Sequence, residues 1–305
     1  MNDNELREDL IQPFHLEASS LRGRLVRMGS TLDTILQQHA YPLPVATLLA
    51  EAMVLAAALS ASLKYDGVFT LQAKGDGAIR LLVADVTSSG GVRAYAQFDA
   101  DKLNGIEGIG LLGKGYLAFT VDQKLKEERY QGIVELRGNT LAEAVQYYFR
   151  QSEQLDTALT VAVRRADDGY WHGGCLMLQA VARQGGLMVV GDTSAVEDWQ
   201  RSMILMATCT DAELTDSGLT PDTLLYRLFH EEGVRAFDPR LLRHQCRCSA
   251  DRVQTMLRSL PREEVEQLAV DGVVAVTCEF CNKSYGFNPE QRDHLYASAA
   301  VEETT

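Results

Sequence analysis

The chain has 305 residues, of which 46% are hydrophobic and 23% are charged. This composition is close to that of ordinary folded proteins and excludes a largely disordered chain or one with many membrane helices. The length is sufficient for two domains that each bury a core. The 42 acidic residues outnumber the 29 lysines and arginines and give a net charge of −13, which argues against nucleic acid as a partner because phosphates are bound by basic surfaces.

The N-terminal residues Met1 to Glu5 are polar and acidic and lack the basic and apolar pattern of a secretory signal. We therefore expect a cytoplasmic protein. Cysteines are kept reduced in that compartment, so a cluster of them is more typical of a metal or redox site than of structural disulfides.

Short apolar runs follow a helical patch at 32–64 and dominate the first part of the chain, from about residue 22 to residue 179. Turn signals such as Asp-Gly and Gly-Gly bound these runs, which predicts strands of a mainly antiparallel sheet. The predicted strands lie at 67–72, 79–84, 92–97, 116–121, 131–136 and 158–164, and another begins at Gly173. A helix is predicted over 140–155, with Asn139 or Thr140 as its cap. Strands in groups with helices before and after them predict an α+β domain.

One segment, residues 45–63, is long enough and apolar enough to be compared with a membrane helix. It consists mostly of alanine and carries Glu51 near its middle. A carboxylate at the centre of an inserted helix costs about 2.5–3.5 kcal/mol. We therefore expect a buried helix of a soluble protein and no membrane partner.

The segment 192–238 is strongly acidic, with ten acidic residues and three arginines, and it holds more than half of the net charge. Its apolar residues nevertheless recur at helical spacing, for example Trp199, Met203 and Met206. Short helices of this kind are stable only while they pack on a surface. The pattern predicts a helical linker that unfolds when its packing is lost.

The third region, which follows Asp238-Pro239, contains four of the six cysteines, arranged as Cys246-Arg-Cys248 and Cys278-Glu-Phe-Cys281 with 29 residues between the pairs. Helices are predicted at 249–259 and 262–270, and a strand at 273–277. A helical hairpin between two close pairs can bring the four sulfurs into one tetrahedron, the geometry of a structural Zn²⁺ site. We predict one zinc ion per reduced chain, bound by Cys246, Cys248, Cys278 and Cys281.

The same four residues fit two kinds of site. Zinc holds the sulfurs as thiolates, the form that oxidants attack, so the cluster can convert an oxidant into metal loss and local unfolding. A permanent zinc ribbon fits equally well, and spacing alone does not choose between them. Cys175 and Cys209 lie outside the cluster in apolar surroundings and are predicted to be buried thiols.

Motifs for enzymatic chemistry are missing from the sequence. Gly75-Asp-Gly77 and Gly113-Lys-Gly115 lack the remainder of a phosphate-binding loop, and neither a G-x-S-x-G nor an H-E-x-x-H pattern is present. We therefore expect a protein that is not an enzyme.

Several motifs resemble the redox-regulated heat shock protein 33 family, also called the 33 kDa chaperonin. The resemblance rests on Cys-Arg-Cys-Ser at 246–249, Cys-Glu-Phe-Cys at 278–281 followed by Tyr-Gly-Phe at 285–287, and the segment 224–239. It extends to motifs at 41–44, 75–77, 128–132 and 148–155 and covers nearly the whole chain. Two departures are Ala250-Asp251, where the family commonly has Arg-Glu, and Cys175, where a plain hydrophobic residue is usual.

The resemblance implies a stress-activated holdase that binds unfolding client proteins and prevents their aggregation. It implies that the reduced, zinc-bound form is inactive, and that oxidation forms two disulfides, releases zinc and unfolds the linker, giving an active homodimer. By position, Cys278 with Cys281 would form the first disulfide, and Cys246 with Cys248 the second. Met203, Leu205 and Met206 are our candidates for client contact, since flexible apolar side chains adapt to varied partners.

The predicted organisation is a core chaperone and dimerisation domain at 1–191, a metastable linker at 192–238 and a zinc-binding redox-switch domain at 239–305. Two alternatives remain. A zinc-ribbon module with a constitutive metal would bind a protein or nucleic acid, although the negative charge disfavours the latter. A thiol-disulfide oxidoreductase would use Cys278 and Cys281, although the β-α-β context expected around such a pair is missing.

Overall fold

The structure is a computed structural model that describes residues 8–19, 21–123, 129–180 and 193–297. The chain divides into two compact units, residues 1–245 and 246–305. The predicted boundary between 191 and 192 lies outside the described residues, as do Met1 to Glu5 and Glu128 of the motif at 128–132. The three-part division predicted above therefore stays a proposal.

Two antiparallel sheets and a set of helices form the first unit. Its strands are β1 (Leu10–Leu16), β2 (Leu21–Met28), β3 (Gly67–Gly75), β4 (Ile79–Thr87), β5 (Gly91–Phe98), β6 (Gly115–Gln123), β7 (Arg129–Glu135), β8 (Thr157–Arg165), β9 (Trp171–Ala180), β10 (Val234–Ala236), β11 (Arg240–Leu241) and β12 (Arg243–His244). Its helices are α1 (Ser30–Leu36), α2 (Leu43–Ser60), α3 (Leu141–Tyr148), α4 (Thr193–Ala207), α5 (Asp211–Leu214) and α6 (Pro221–Phe229).

The first sheet has the order β10-β1-β2-β9-β8, and β11 also pairs with β1. The second sheet has the order β12-β5-β4-β3-β6-β7. The pairings are antiparallel except for the short contact of β12 with β5, which is parallel. The predicted α+β fold with mainly antiparallel sheets is confirmed.

Helix α2 packs against strands of both sheets, so its buried faces have apolar neighbours on two sides. By length and composition α2 also meets the criteria for a membrane span, but 78% of it is buried inside the protein. The predicted buried helix is confirmed. The helix is apolar around most of its circumference because neither sheet leaves it a broad face toward water.

The predicted helix at 140–155 is shorter than expected. Thr140 is its cap and accepts a hydrogen bond from the backbone N–H of Glu143 at 3.1 Å. The regular helix ends at Tyr148, continues as a π turn at Phe149–Glu153 and stops at Gln154, whose φ of 51° is left-handed. A left-handed residue is a common end of a helix, and nothing in the hydrophobic periodicity marks it.

Helices α4 and α6 and the short α5 cover the face of the first sheet that points away from α2. Alternation along a strand separates the two faces, so Leu25 of β2 packs toward these helices whereas Val26 packs toward α2. Apolar side chains of the predicted linker complete this second core, namely Met206, Cys209, Leu214, Leu224, Leu225, Leu228 and Phe229. The amphipathic helices predicted in this segment are therefore present from residue 193 onward, and they pack on the first sheet. The prediction of helix throughout 192–238 is wrong at its end, because Val234–Ala236 forms strand β10 and pairs with β1.

The second unit is small. It contains α7 (Ala250–Arg258), α8 (Arg262–Gln267), the hairpin of β13 (Val274–Thr277) and β14 (Ser284–Phe287), and α9 (Pro289–Ala297). Helix α8 ends three residues before the predicted limit of 270. The buried hydrophobic cluster of this unit is Leu257, Val265, Val274, Phe287 and Leu295.

Candidate metal centre

The backbone structure around each cysteine pair sets the position of its two residues. Cys246 and Cys248 directly precede α7, where the Ser249 side chain caps the helix by accepting from the backbone N–H of Arg252 at 3.2 Å. Cys278 and Cys281 lie in the turn between β13 and β14. The N–H of Cys278 donates to the carbonyl of Lys283 at 2.9 Å, and the N–H of Asn282 donates to the carbonyl of Cys278 at 2.8 Å.

The four sulfurs converge as predicted and lie within 4.8 Å of one another. Cys246 Sγ is 3.4 Å from Cys248 Sγ and 3.7 Å from Cys278 Sγ, and Cys248 Sγ is 3.4 Å from Cys281 Sγ. Four sulfurs at about 2.3 Å from a central Zn²⁺ would be about 3.8 Å apart, and a disulfide would need about 2.05 Å. The spacing therefore matches a tetrahedral thiolate site, and all four thiols are free of disulfides.

The four sulfurs differ in acidity because they are crowded together. Burial raises the pKa of Cys281 to about 12, while hydrogen bonds from Tyr285 and the neighbouring thiols outweigh burial at Cys248 and lower its pKa to about 7. Crowded thiols share protons in this way because four thiolates so close together repel one another. A divalent cation among them removes that repulsion, so these residues can hold a metal ion.

Groups around the sulfurs donate hydrogen bonds to them. The backbone N–H of Cys248 points to the sulfur of Cys246, and that of Lys283 points to the sulfur of Cys281. The Tyr285 hydroxyl donates to Cys248 Sγ at 3.1 Å, and this bond raises the pKa of the phenol to about 12. Partners of this kind orient metal ligands and adjust their electron density.

The linker is attached to the first sheet by a buried cation. Arg27 of β2 is 2% exposed, and its guanidinium donates to the backbone carbonyls of Glu213, Asp216 and Leu219. These carbonyls lie at the end of α5 and in the loop that leads to α6. Nothing in the sequence predicts this contact, since an arginine in an apolar run gives no sign of which carbonyls it reaches.

A second polar contact joins two parts of the linker, helix α4 and the turn after α6. The Arg201 guanidinium donates to both carboxylate oxygens of Glu232, at 2.5 and 3.1 Å, and Asp198 accepts from the same guanidinium at 2.8 Å. Glu232 is buried, so the ion pair fixes α4 against the turn that follows α6.

The three residues predicted to contact clients lie on α4. Met206 is buried in the core beneath the linker, and Met203 and Leu205 are partly buried against the same core. The structure thus groups them on a covered face, and their binding role stays a prediction.

The remaining cysteines are buried, as predicted. Cys175 is fully enclosed, and burial raises the pKa of its thiol well above the ordinary range. Burial also raises the pKa of Cys209, to about 11. His244 is two positions before Cys246 and belongs to the short strand β12. Its ring Nε2 lies 3.1 Å from the side-chain amide nitrogen of Gln38.

A family model described as Hsp33 protein matches residues 9–288 of the chain. The chain belongs to the Hsp33 family. Proteins named 33 kDa chaperonin are similar to it over almost their whole length. The one from Caulobacter vibrioides is 40% identical, with 94% of this chain and 97% of that protein covered, and the one from Azotobacter vinelandii is 38% identical, with 95% of each covered.

A crystal structure extends the Hsp33 likeness to the fold. The 33 kDa chaperonin of Thermotoga maritima, described as a heat shock protein 33 homologue, matches with a TM-score of 0.81 and 24% identity, over 96% of this chain and 99% of that one. At this identity the likeness shows the fold alone.

Proposed function

We propose that this protein is a cytoplasmic holdase that is switched on by oxidation and binds unfolding proteins to prevent their aggregation. The observation that carries the proposal is the joint presence of a four-thiol cluster at metal-binding spacing and a linker held on a sheet through apolar contacts. Membership of a family whose members are named chaperonins supports the client-binding part.

In the reduced state Cys246, Cys248, Cys278 and Cys281 would bind one Zn²⁺. The ion would supply the charge that keeps four neighbouring sulfurs as thiolates, and its ligands would join the start of the second unit to the turn between β13 and β14. Structural zinc contributes about 10–16 kcal/mol of apparent binding free energy in small zinc-folded peptides, more than the stability of many whole domains. With so small a buried apolar cluster in the described part of this unit, we expect its fold to depend on the metal.

Oxidation would remove the ligands. A peroxide converts one thiolate to a sulfenic acid, and the neighbouring thiol displaces water to form the disulfide. Cys248 lies as close to Cys281 as to Cys246, so the sulfur distances favour neither pairing. The pairing Cys278 with Cys281 and Cys246 with Cys248 rests on the family, and peptide mapping of the oxidised protein tests it.

Unfolding of the linker would expose two apolar surfaces. One is the sheet face that contains Phe14, Leu21, Leu25, Leu176 and Leu178, and the other is the inner face of α4 and α6. Together they offer unfolded clients an extended apolar surface, while the strong negative charge keeps the complex in solution. In this state the protein would act as a homodimer.

The proposal is tested by treating the purified reduced protein with hydrogen peroxide at mild heat. Released metal, helix content and suppression of client aggregation are followed in the same sample. We expect about one zinc per chain to leave, helix content to fall and aggregation of a thermally unfolded client to stop. Loss of metal without any gain in client binding would contradict the proposal and favour a permanent zinc ribbon, and reduction of insulin disulfides would favour an oxidoreductase.

A further inference from the structure

The hydrogen bond between Tyr285 and Cys248 gives the four sulfurs unequal surroundings. We propose that the Tyr285 hydroxyl protects Cys248 from oxidation and so delays the Cys246–Cys248 disulfide until after the Cys278–Cys281 disulfide has formed. This inference rests on the proposed function and concerns the order of its chemical steps.

The geometry is specific to one sulfur. Tyr285 lies in β14 opposite Val276 of β13, and this pairing aims its ring toward the second sulfur of the C-x-C pair. Its hydroxyl lies 3.1 Å from Cys248 Sγ. In the part of the chain that the structure describes, no other side-chain hydroxyl donates to the four cysteines. The Lys283 ammonium lies 5.2 Å from the centre of the same ring, which withdraws electron density from it and strengthens the hydroxyl as a donor.

In the zinc-loaded protein all four sulfurs would already be thiolates, so a donated hydrogen bond acts on the reactivity of the thiolate and not on its amount, and it lowers that reactivity. In the attack on hydrogen peroxide, a sulfur electron pair forms the S–O bond, the O–O bond breaks, and the departing hydroxide takes a proton to become water. The sulfenic acid then reacts with a second thiol to give the disulfide and another water, so one peroxide accepts two electrons for each disulfide. An O–H···S bond stabilises the thiolate before this attack and is lost as negative charge leaves the sulfur, which raises the barrier.

Differences in solvent exposure do not account for the proposed order of the two disulfides. Cys246, Cys248, Cys278 and Cys281 all have intermediate exposure. Backbone N–H groups also donate to Cys246 and Cys281, so each pair contains one sulfur with such a partner. The Tyr285 hydroxyl is thus the added donor that distinguishes the C-x-C pair from the C-x-x-C pair.

The test compares Tyr285→Phe with the wild type, both in the zinc-loaded full-length chain. Tyr296→Phe is the matched control, because the Tyr296 hydroxyl lies in the same unit and donates to the carbonyls of Leu257 and Leu260 at 3.1 and 3.2 Å. Samples taken during peroxide treatment are alkylated, and each disulfide is quantified by peptide mass spectrometry. Metal content and client binding are recorded in parallel.

We expect Tyr285→Phe to form the Cys246–Cys248 disulfide about three to ten times faster than wild type, the range set by a modest hydrogen bond to a charged acceptor. The rate at Cys278–Cys281 should change less, and Tyr296→Phe should match the wild type. Equal rates in Tyr285→Phe and wild type, in proteins that bind zinc and gain client binding, would overturn the inference and leave the proposed function intact. A wild type that binds no metal would overturn both.

A second measurement does not depend on any variant. Zinc-loaded wild-type protein is treated with a limiting amount of iodoacetamide, and the first cysteines to be alkylated are mapped. Cys248 should react more slowly than each of the other three. If Cys248 is among the first to react, the inference is wrong even where Tyr285→Phe fails to fold.

Discussion

Arg27 of β2 donates a hydrogen bond to the backbone carbonyl of Leu219, in the loop between two linker helices. Since Arg27 is buried, this bond and those to Glu213 and Asp216 are shielded from water, and burial lowers the pKa of the guanidinium. A charge placed beneath the linker is favourable only while the linker carbonyls surround it. The contact therefore links the position of the linker to the sheet.

Replacing Arg27 with methionine should loosen the linker without an oxidant. The three carbonyls lose their donor, and we expect a loss of about 2–4 kcal/mol in the free energy of local unfolding, because unpaired buried polar groups are costly. Hydrogen exchange across 211–229 in the reduced, zinc-loaded protein measures this. Arg22→Met on the same strand is the control, since Arg22 is exposed. Unchanged exchange in Arg27→Met would show that the linker is held by its apolar contacts alone.

Serine at positions 203, 205 and 206 should affect both states of the protein. In the reduced protein the triple variant loses packing at Met206, which is 2% exposed, at a cost of about 2–5 kcal/mol. In the oxidised protein we expect weaker suppression of client aggregation. Ile204→Ser is the control, because this side chain lies on the same helix but is 69% exposed. Full activity of the oxidised triple variant would remove this face from the client-binding surface.

Glu51 in the buried helix α2 predicts a pH dependence of stability. Burial raises its pKa to about 7, whereas an unfolded glutamate titrates near pH 4.3. Between these values the unfolded chain releases the proton while the folded chain keeps it, so stability falls as pH rises from about 4.5 to 7. Below this range the penalty is absent, and above it the penalty is complete.

Glu51→Gln should therefore stabilise the reduced protein at pH 8 by about 1–3 kcal/mol and have little effect at pH 4.5. Urea unfolding at the two pH values measures the difference. Glu107→Gln is the control, because Glu107 is exposed and its side chain caps nothing. A variant that shows the same pH dependence as wild type would mean that the Glu51 carboxylate is solvated in the folded protein.

Removing one ligand should unfold the second unit. We expect Cys278→Ser to bind metal at least 100-fold more weakly and to lose the helical signal of α7 and α8, because metal binding and folding are coupled in small metal domains. Metal content after dialysis and limited proteolysis after residue 245 report the two effects. Cys175→Ala should keep the metal of the wild type, since Cys175 is enclosed in the core of the first unit. A compact, protease-resistant second unit in metal-free Cys278→Ser would contradict the proposed switch.

Strands β1 and β2 were not predicted from the sequence, and their residues show why. Strand β2 contains three arginines, at positions 22, 24 and 27, and β1 is interrupted by Pro13. An apolar run broken in this way does not indicate a strand. These segments become strands because β2 pairs with β9 along its whole length and with β1 from Leu21 to Arg27, and because the linker segment supplies the carbonyls for Arg27.

Local sequence patterns were sufficient to predict several features of the structure. The spacing of Cys246, Cys248, Cys278 and Cys281 predicted their convergence, because ligand pairs close in sequence need only one hairpin to meet. Turn signals predicted most strands of the second sheet, and helical periodicity predicted α4 and α6. Only the tertiary structure decided which surfaces and hydrogen-bond donors meet when they are far apart in the sequence. These contacts are the packing of α2 between two sheets, the packing of the linker on β2 and β9, the bonds from Arg27 to the linker carbonyls, and the bond from Tyr285 to one of the four sulfurs. These contacts depend on strand register and on the reach of single side chains, and neither is encoded in a local pattern of polar and apolar residues.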